Sequence, residues 1–211
     1  MVLVKDHNDE NQARGTAIIV VTGLPRSGTS MMMQMLEAGG AVLLSDGLRR
    51  PDAANPKGYY EYEPVKRLAE DNSWLVQARG RAVKIVAPLL PHLAPNLEYR
   101  VIFMERDLEE VLRSQRAMLE RLGRRPDASE EKLGEAFRKH LVLVRNFLVR
   151  SNLPTLFVQY RSVVRDPLSA AVRVNRFLGG IFDPEAMARA VSPELYRQRR
   201  ETSRDRAGGG I

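Results

Sequence analysis

Five short apolar stretches recur along the chain, and longer segments separate each from the next. They occupy residues 16–22, 41–44, 81–86, 100–104 and 155–160. Consecutive apolar and β-branched residues of this kind are typical of strands that are buried on both faces of a parallel sheet. We therefore predict an α/β fold in which a central, parallel, five-stranded sheet is covered by helices on both faces.

Helical patterns fill most of the intervals between these strands. The predicted helices cover, approximately, residues 29–38, 65–79, 107–122, 127–150, 167–178 and 184–191. Paired glycines follow the first of them at Gly39 and the fifth at Gly179, which is typical of helix C-termini. The prolines between residues 88 and 95 predict an extended loop instead of a helix.

Composition is ordinary for a single globular domain. The chain has 211 residues, of which 44% are hydrophobic and 28% are charged. We predict one domain over residues 16–195, a flexible segment at 1–15 and a flexible basic tail at 196–211. The net charge of +7 suits nucleic acid or a multiply anionic nucleotide. Because aromatic residues make up only 6% and no nucleic-acid motif stands out, we do not expect nucleic acid to be the principal partner.

The sequence lacks the features of several other classes of protein. There is no cysteine, so disulfides and thiolate metal sites are excluded. No apolar run approaches the roughly 20 residues that span a bilayer. Residues 1–14 are polar and lack the apolar core of a secretory signal. We therefore expect a cytoplasmic protein with no membrane span.

A glycine-rich turn joins the first predicted strand to the first predicted helix, where residues 20–30 read VVTGLPRSGTS. In this order the backbone N–H groups of the turn and the positive end of the helix point towards a common anion. Gly23 and Gly28 allow the backbone to approach that anion closely. Their spacing matches a P-loop, but Thr29 follows where a nucleotide triphosphatase has lysine. The turn therefore predicts a phosphate site that differs from an ATP site.

The same turn resembles the 5′-phosphosulfate loop of the sulfotransferases that use 3′-phosphoadenosine 5′-phosphosulfate (PAPS). That loop usually reads P-[KR]-S-G-T-[ST] after a strand, and residues 25–30 here read PRSGTS. The resemblance is to bacterial sulfotransferase-like proteins of the P-loop superfamily. It implies a three-layer P-loop fold and PAPS as donor. It also implies that the donor is bound by Gly23, Pro25, Arg26, Ser27, Gly28, Thr29 and Ser30.

Two later segments also resemble that family. Residues 101–107 read VIFMERD and are followed by Ser114, as in the family's 3′-phosphate motif. The resemblance implies that Arg106 and Ser114 bind the 3′-phosphate, with the guanidinium group able to donate two parallel bonds. In the second segment, Tyr160 is followed by Asp166-Pro167 and then by residues 177–179, which read FLG, as in the family's Tyr…Asp-Pro…Phe-Leu-Gly pattern. This resemblance implies that Tyr160 lies near the adenine. The residues alone leave open that Arg106 instead pairs with Asp107 or Glu110.

The family's usual general base is absent. Cytosolic members carry K-T-H-L-P after the third strand, whereas residues 84–88 here read KIVAP, so that Val86 replaces the histidine. Residues 55–61 read NPKGYYE and resemble a stretch of many bacterial sulfotransferase-like proteins. Glu61 is therefore the candidate base. The alternative that this carboxylate only stabilises a helix N-terminus stays open.

Together these parts predict a sulfotransferase that moves a sulfuryl group from PAPS to a hydroxyl or amine. The acceptor is an unidentified small molecule or glycan. Arg26 and Lys84 would stabilise the charge that develops on the bridging oxygen, and Arg26 has too high a pKa to donate a proton readily. No metal is expected, since no carboxylate and serine form a recognisable magnesium site.

Two other functions remain open at this point. One is a P-loop small-molecule kinase that uses ATP and magnesium with Ser30 as a metal ligand, although Thr29 in place of the P-loop lysine argues against it. The other is a catalytically inactive nucleotide-binding protein, which Val86 in the position of the histidine favours.

Overall fold

The computed structural model describes residues 15–48, 58–124 and 129–192. In these residues the sheet consists of four strands in the order β2-β1-β3-β4, and each neighbouring pair is parallel. The strands are β1 Ile18–Gly23, β2 Ala82–Lys84, β3 Tyr99–Glu105 and β4 Thr155–Gln159. The predicted α/β fold with a parallel sheet is therefore confirmed. The predicted terminal segments, residues 1–15 and 196–211, lie outside the described residues except for Gly15.

The prediction of a fifth strand at residues 41–44 is wrong. This segment forms one isolated parallel bridge, between Leu43 and Ala82. The backbone of Ala82 accepts a hydrogen bond from the N–H of Leu44 and donates one to the carbonyl of Val42, each at 2.8 Å. The segment is apolar because Ala41 and Leu44 are buried against the sheet edge. The neighbouring strand β2 is only three residues long and gives it no further partners.

Six α-helices are present in the described residues. They are α1 Thr29–Ala38, α2 Leu108–Arg121, α3 Glu130–Ser151, α4 Tyr160–Arg165, α5 Pro167–Phe177 and α6 Pro184–Arg189. Asp107 caps α2 by accepting from the N–H groups of Glu109 and Glu110. Helix α4 was not predicted, since the apolar run of β4 leads directly into Tyr160.

Two segments have local structure that differs from the prediction. Residues 65–79 form two 3₁₀ helices, Glu63–Arg67 and Ser73–Ala78, instead of one α-helix. The carboxylate of Asp71 accepts from the N–H of Ser73 at 2.9 Å, at the start of the second 3₁₀ helix.

The proline-rich segment forms a 3₁₀ helix, Ala87–His92, instead of an extended loop. A proline in its first turn costs no hydrogen bond, because the N–H there has no partner within the helix.

Alternate residues of β1 contribute their side chains to two hydrophobic cores, one on each face of the sheet. Ile18 and Val20 pack with the 3₁₀ segments and α3. Ile19 and Val21 pack with α1 and with α4, α5 and α6. The sheet is thus the middle of three layers, and all its strands end at one edge, where ligands bind in open α/β sheets. Within the described residues, no helix combines the length and the apolar character needed to cross a membrane.

Candidate active site

A cavity of about 650 Å³ opens at the carboxyl ends of the strands. Most of the residues predicted from the sequence line it: Gly23, Pro25, Arg26, Gly28, Thr29, Ser30, Glu61, Lys84, Arg106, Ser114 and Tyr160. Ser27 does not line it. That side chain lies beneath the turn, 1% exposed, and its Oγ has no hydrogen-bond partner among the described residues.

The glycine-rich turn leaves the N-terminus of α1 open towards the cavity. Gly28 precedes the first helical residue with φ 101°, and no side chain caps that end of the helix. The positive end of the α1 dipole therefore faces the cavity and favours an anion there. A Cβ atom on Gly28 would overlap with Cδ2 of the Tyr160 ring. A Cβ atom on Gly23 would lie 2.6 Å from the carbonyl oxygen of Met104. Only glycine fits at these two positions.

Two arginines join the turn to the rest of the cavity wall. The Nε of Arg26 donates to the Oγ of Ser114 at 3.1 Å. The Nη1 of Arg106 donates to the backbone carbonyl of Arg26 at 3.1 Å. Arg106 also lies over the ring of Tyr160, with its Cζ 4.4 Å from the ring centroid. The end of β1, the end of β3, α2 and α4 are therefore held together by polar contacts around one cavity.

The alternative partner of Arg106 is Glu110. Its Oε2 lies 3.0 Å from the Nε of Arg106, and the two side chains are only 8% and 4% exposed. This i,i+4 pairing was one of the possibilities that the sequence left open. The contact does not exclude phosphate binding, because Arg106 lines the cavity while it pairs with Glu110.

A second set of contacts fixes the segment that carries the candidate base. The Nζ of Lys84 donates to the carbonyl of Tyr59, and the Oγ of Ser30 donates to the same oxygen at 3.4 Å. Glu61 follows two residues later. Its Oε1 lies 3.8 Å from the Nζ of Lys84, and its side chain is 32% exposed. The carboxylate and the ammonium group therefore face the same part of the cavity.

Tyr60 turns the chain between these two contacts. Its φ of 52° lies in the left-handed region, which is uncommon for a residue with a side chain. Its hydroxyl donates to the Oε2 of Glu37 at 2.9 Å, at the end of α1. Burial, together with this bond, raises the pKa of Tyr60 to about 12. Residues 49–57, which include part of the segment that resembles bacterial relatives, lie outside the described residues.

The charges around the cavity are unbalanced. Among the described residues that line it, Glu61 is the only carboxylate and no histidine is present. The cations of the lining are Arg26, Lys66, Lys84, Arg106 and Arg121. Such a surface favours a ligand with several negative charges. In the part of the chain that the structure describes, no group of three or more His, Asp or Glu side chains is arranged to hold a metal ion.

Met118 and Arg121 of helix α2 also line the cavity, although the sequence did not single them out. They follow the predicted Ser114 by four and by seven residues, which places all three on one helical face. This helical spacing from Ser114 could have identified them. An apolar part of the wall is formed by Tyr62, Val65, Ile85, Val86 and Leu89. Val86, in the position of the family's histidine, is 46% exposed there.

Comparison with known proteins supports the fold. No known protein-family profile matches the chain, and no curated protein matches it. Solved structures do match it, among them the following two. The sulfotransferase domain from the Synechococcus PCC 7002 olefin synthase matches with a TM-score of 0.55 and 20% identity, over 87% of this chain and 80% of that domain. Mouse sulfotransferase SULT7A1, complexed with PAP, matches with a TM-score of 0.56 and 17% identity, over 88% of this chain and 68% of that protein.

The chain has the sulfotransferase fold. The family resemblance inferred from residues 25–30 is thus confirmed at the level of the fold. In this sulfotransferase-like chain, the open helix N-terminus, the two arginines and the lone carboxylate of the lining share one cavity at the end of the parallel sheet. Identities of 17–20% describe a shared architecture, so the roles of individual residues have to be argued from the site itself.

Proposed function

We propose that the protein is a sulfotransferase that transfers the sulfuryl group of PAPS to a hydroxyl or amine of a small-molecule or glycan acceptor. One observation carries the proposal. The glycine-rich anion cradle after β1 and the Arg106–Ser114 pair after β3 open onto the same cavity, which Glu61 also lines. A donor with a 5′-phosphosulfate and a 3′-phosphate needs two separate anion sites of this kind.

The donor would bind along the edge of the sheet. The N–H groups at the start of α1, with the hydroxyls of Thr29 and Ser30, would hold the 5′-phosphosulfate. Arg106 and Ser114 would hold the 3′-phosphate, and Tyr160 would lie near the adenine. The excess of cations in the cavity lining supports this placement, since PAPS carries several negative charges.

The transfer requires a base and stabilisation of the leaving group. Glu61 would accept the proton of the acceptor as its oxygen or nitrogen forms a bond to sulfur. The bond between sulfur and the bridging oxygen breaks, and its electron pair stays on the 5′-phosphate of PAP. Arg26 and Lys84 would stabilise that charge as it develops. Both side chains line the cavity, and 3.8 Å separates the Nζ of Lys84 from the Oε1 of Glu61, so both can reach one bound sulfuryl group, from the acceptor side and from the leaving-group side.

Nucleotide-dependent thermal stabilisation tests the proposal. We expect PAP to raise the melting temperature without magnesium, whereas ATP has little effect. A ligand at about 100 times its Kd stabilises by roughly 2.7 kcal/mol. For a chain of this size the midpoint then shifts by about 5–10 °C. The shift should disappear in Arg106→Ala. It should persist in Arg116→Ala, which removes an exposed arginine of the following helix α2 from a surface ion pair with Glu130.

Other outcomes of this experiment have clear meanings. A shift with ATP and magnesium alone would contradict the proposal and favour a small-molecule kinase. A shift with PAP, but no transfer from PAPS to any of a broad set of alcohols, phenols, amines and sugars, would indicate a nucleotide-binding protein without catalytic activity.

A further inference from the structure

The proposed mechanism gives no role to Glu110, although this side chain is among the most buried charged groups described. We propose that Glu110 is a positioning residue that orients Arg106, and that it thereby makes the donor site select nucleotides with a 3′-phosphate. This proposal rests on the proposed function, because it assigns the selectivity of that same site.

The position of Glu110 is fixed by the start of α2. Its backbone N–H donates to the Oδ1 of Asp107 at 3.2 Å, within the N-terminal cap of the helix. The residue is 3% exposed. A carboxylate in such surroundings is costly unless it is paired, and here its Oε2 lies 3.0 Å from the Nε of Arg106. A capped helix therefore holds the carboxylate, and the carboxylate holds the guanidinium group.

The guanidinium group of Arg106 is held on further sides. Its Nη1 donates to the carbonyl of Arg26, and its face lies over the ring of Tyr160. The ring restricts tilting of the guanidinium plane, while the bonds at Nε and Nη1 restrict rotation within that plane. A planar group with donors in fixed directions recognises a phosphate only when its orientation is correct. Loss of Glu110 would remove the restraint at Nε on this in-plane rotation.

Helix α2 connects this restraint to the glycine-rich turn. Glu110 and Ser114 are four residues apart and so lie on the same face of the helix. The first contacts Arg106 and the second contacts Arg26. One face of α2 thus fixes the positions of Arg26 and Arg106. Glu110 acts on the 3′-phosphate site through Arg106 and does not itself contact the nucleotide.

A purely structural role of the Glu110–Arg106 ion pair predicts a different effect of its loss. If Glu110 only stabilised the fold, its loss would lower the melting temperature and leave the preference between nucleotides unchanged. If it orients Arg106, its loss would weaken binding of PAP and leave binding of AMP, which lacks the 3′-phosphate, almost unchanged. The ratio of the two affinities therefore separates the two roles.

The experiment is a calorimetric titration of the full chain with PAP and with AMP, well below the melting temperature of each variant. In Glu110→Gln we expect the PAP affinity to fall about tenfold while the AMP affinity stays within about twofold. Glu109→Gln is the matched control. It removes the same charge from the neighbouring, exposed position, and we expect both affinities to be retained. Glu110→Asp keeps the charge but withdraws the carboxylate by one methylene group, and it should show the same selective loss if the amide variant folds poorly.

A double-mutant cycle identifies the route of the effect. In an Arg106→Ala background, Glu110→Gln should produce no further loss of PAP affinity. An unchanged ratio of PAP to AMP affinity in both Glu110 variants would overturn the proposal, as would an equal loss with and without Arg106. Absence of any preference for PAP in the unaltered chain would instead overturn the proposed function, and this proposal with it.

Discussion

Arg26 and Ser114 contact each other directly, since the Nε of Arg26 donates to the Oγ of Ser114 at 3.1 Å. The bond joins the glycine-rich turn after β1 to the second turn of α2. By resemblance, the first of these residues belongs to the 5′-phosphosulfate site and the second to the 3′-phosphate site. This bond therefore couples the two ends of the proposed donor site, together with the bond from Arg106 to the carbonyl of Arg26.

Arg26→Lys is expected to weaken the site, although lysine is common at this position in the family. The N–H donors of a lysine all sit on one nitrogen, whereas those of the planar guanidinium group are spread over three nitrogens. Lysine therefore cannot bond Ser114 through one nitrogen while another nitrogen faces PAPS. We expect about a tenfold loss of PAP affinity and of kcat/KM for PAPS, which corresponds to one charge-assisted hydrogen bond. Calorimetry and initial rates measure the two quantities.

The same exchange at Arg116 is the control for Arg26→Lys. Arg116 is exposed on α2 and does not line the cavity, so both quantities should stay unchanged there. If Arg26→Lys has the affinity and the rate of the unaltered protein, the bond to Ser114 contributes to neither binding nor transfer.

The local parts of the site were predictable because they depend on neighbouring residues. The β-branched run, the glycines and the helical pattern that follow each other from Ile18 to Ala38 specify a strand, a turn and a helix by local preference alone. Residues 41–44 were predicted wrongly for the opposite reason. Their apolar pattern is the same for a strand and for a segment packed on a sheet edge, and only the short partner β2 decides between the two.

Pairings between distant segments could not be read from the sequence. The hydrogen bond between Arg26 and Ser114 spans 88 positions, and the choice of Glu110 as the partner of Arg106 depends on how deeply β3 and α2 bury both side chains. Glu61 and Lys84 were each predicted from their own sequence context, which does not show that they are neighbours. Their distance is set by the hydrogen bonds that Lys84 and Ser30 donate to the carbonyl of Tyr59.

Gly28→Ala is expected to destabilise the fold and to abolish nucleotide binding. Its φ of 101° is strained for any residue with a side chain, and the added methyl group would overlap with the Tyr160 ring. We expect a loss of about 3 kcal/mol, or roughly 6–12 °C in the melting temperature. Calorimetric melting with and without PAP measures both effects.

Gly179→Ala measures the cost of backbone strain at a glycine where an added methyl group meets no other atom. This glycine has φ 100°, but a Cβ atom there would meet nothing within 4 Å. It should therefore cost only about 1 kcal/mol and leave the PAP-induced shift intact. Equal effects of the two substitutions would contradict the role of the Gly28–Tyr160 contact.

Glu61→Gln is expected to stop turnover without loss of donor binding. The amide cannot accept the proton of the acceptor, and general-base catalysis typically contributes about 10²–10⁴ in rate. PAP affinity should be retained or slightly increased, because the change removes a negative charge from the cavity. The measurements are the transfer rate from PAPS and a PAP titration.

Glu63→Gln is the matched control for Glu61→Gln. Glu63 lies two residues further along the chain, is 56% exposed and pairs with Lys66 at the surface. It should have a normal rate. A normal rate in Glu61→Gln as well would remove Glu61 as the base.

Val86→His offers a gain-of-function test of the same idea. Val86 lines the cavity and is 46% exposed, so a larger polar side chain can be accommodated at small cost. If position 86 faces the acceptor, as the family resemblance implies, histidine there should restore part of the rate lost in Glu61→Gln. Initial rates of the double variant between pH 6 and pH 8, where imidazole titrates, measure the rescue. A double variant as slow as Glu61→Gln at every pH would show that position 86 does not reach the acceptor.

The contact between Tyr60 and Glu37 predicts a stability change at alkaline pH. Burial and the bond to Glu37 raise the pKa of Tyr60 to about 12 in the folded chain, against 10.0 for the unperturbed group. Between these values the unfolded chain loses the proton first. The stability that Tyr60 contributes is therefore fully present below about pH 10 and is lost as the pH rises through 12.

Melting curves of the unaltered chain and of Tyr60→Phe from pH 8 to pH 12 isolate this effect. Tyr99, whose pKa burial also raises to about 12, titrates in both proteins and so cancels in the comparison. The difference in melting temperature between the two proteins should be constant up to about pH 10 and should shrink above it. If the difference stays constant up to pH 12, the hydroxyl of Tyr60 does not keep its proton through this contact. In that case the turn that places Glu61 would have to be held by the clamp of Lys84 and Ser30 on the carbonyl of Tyr59.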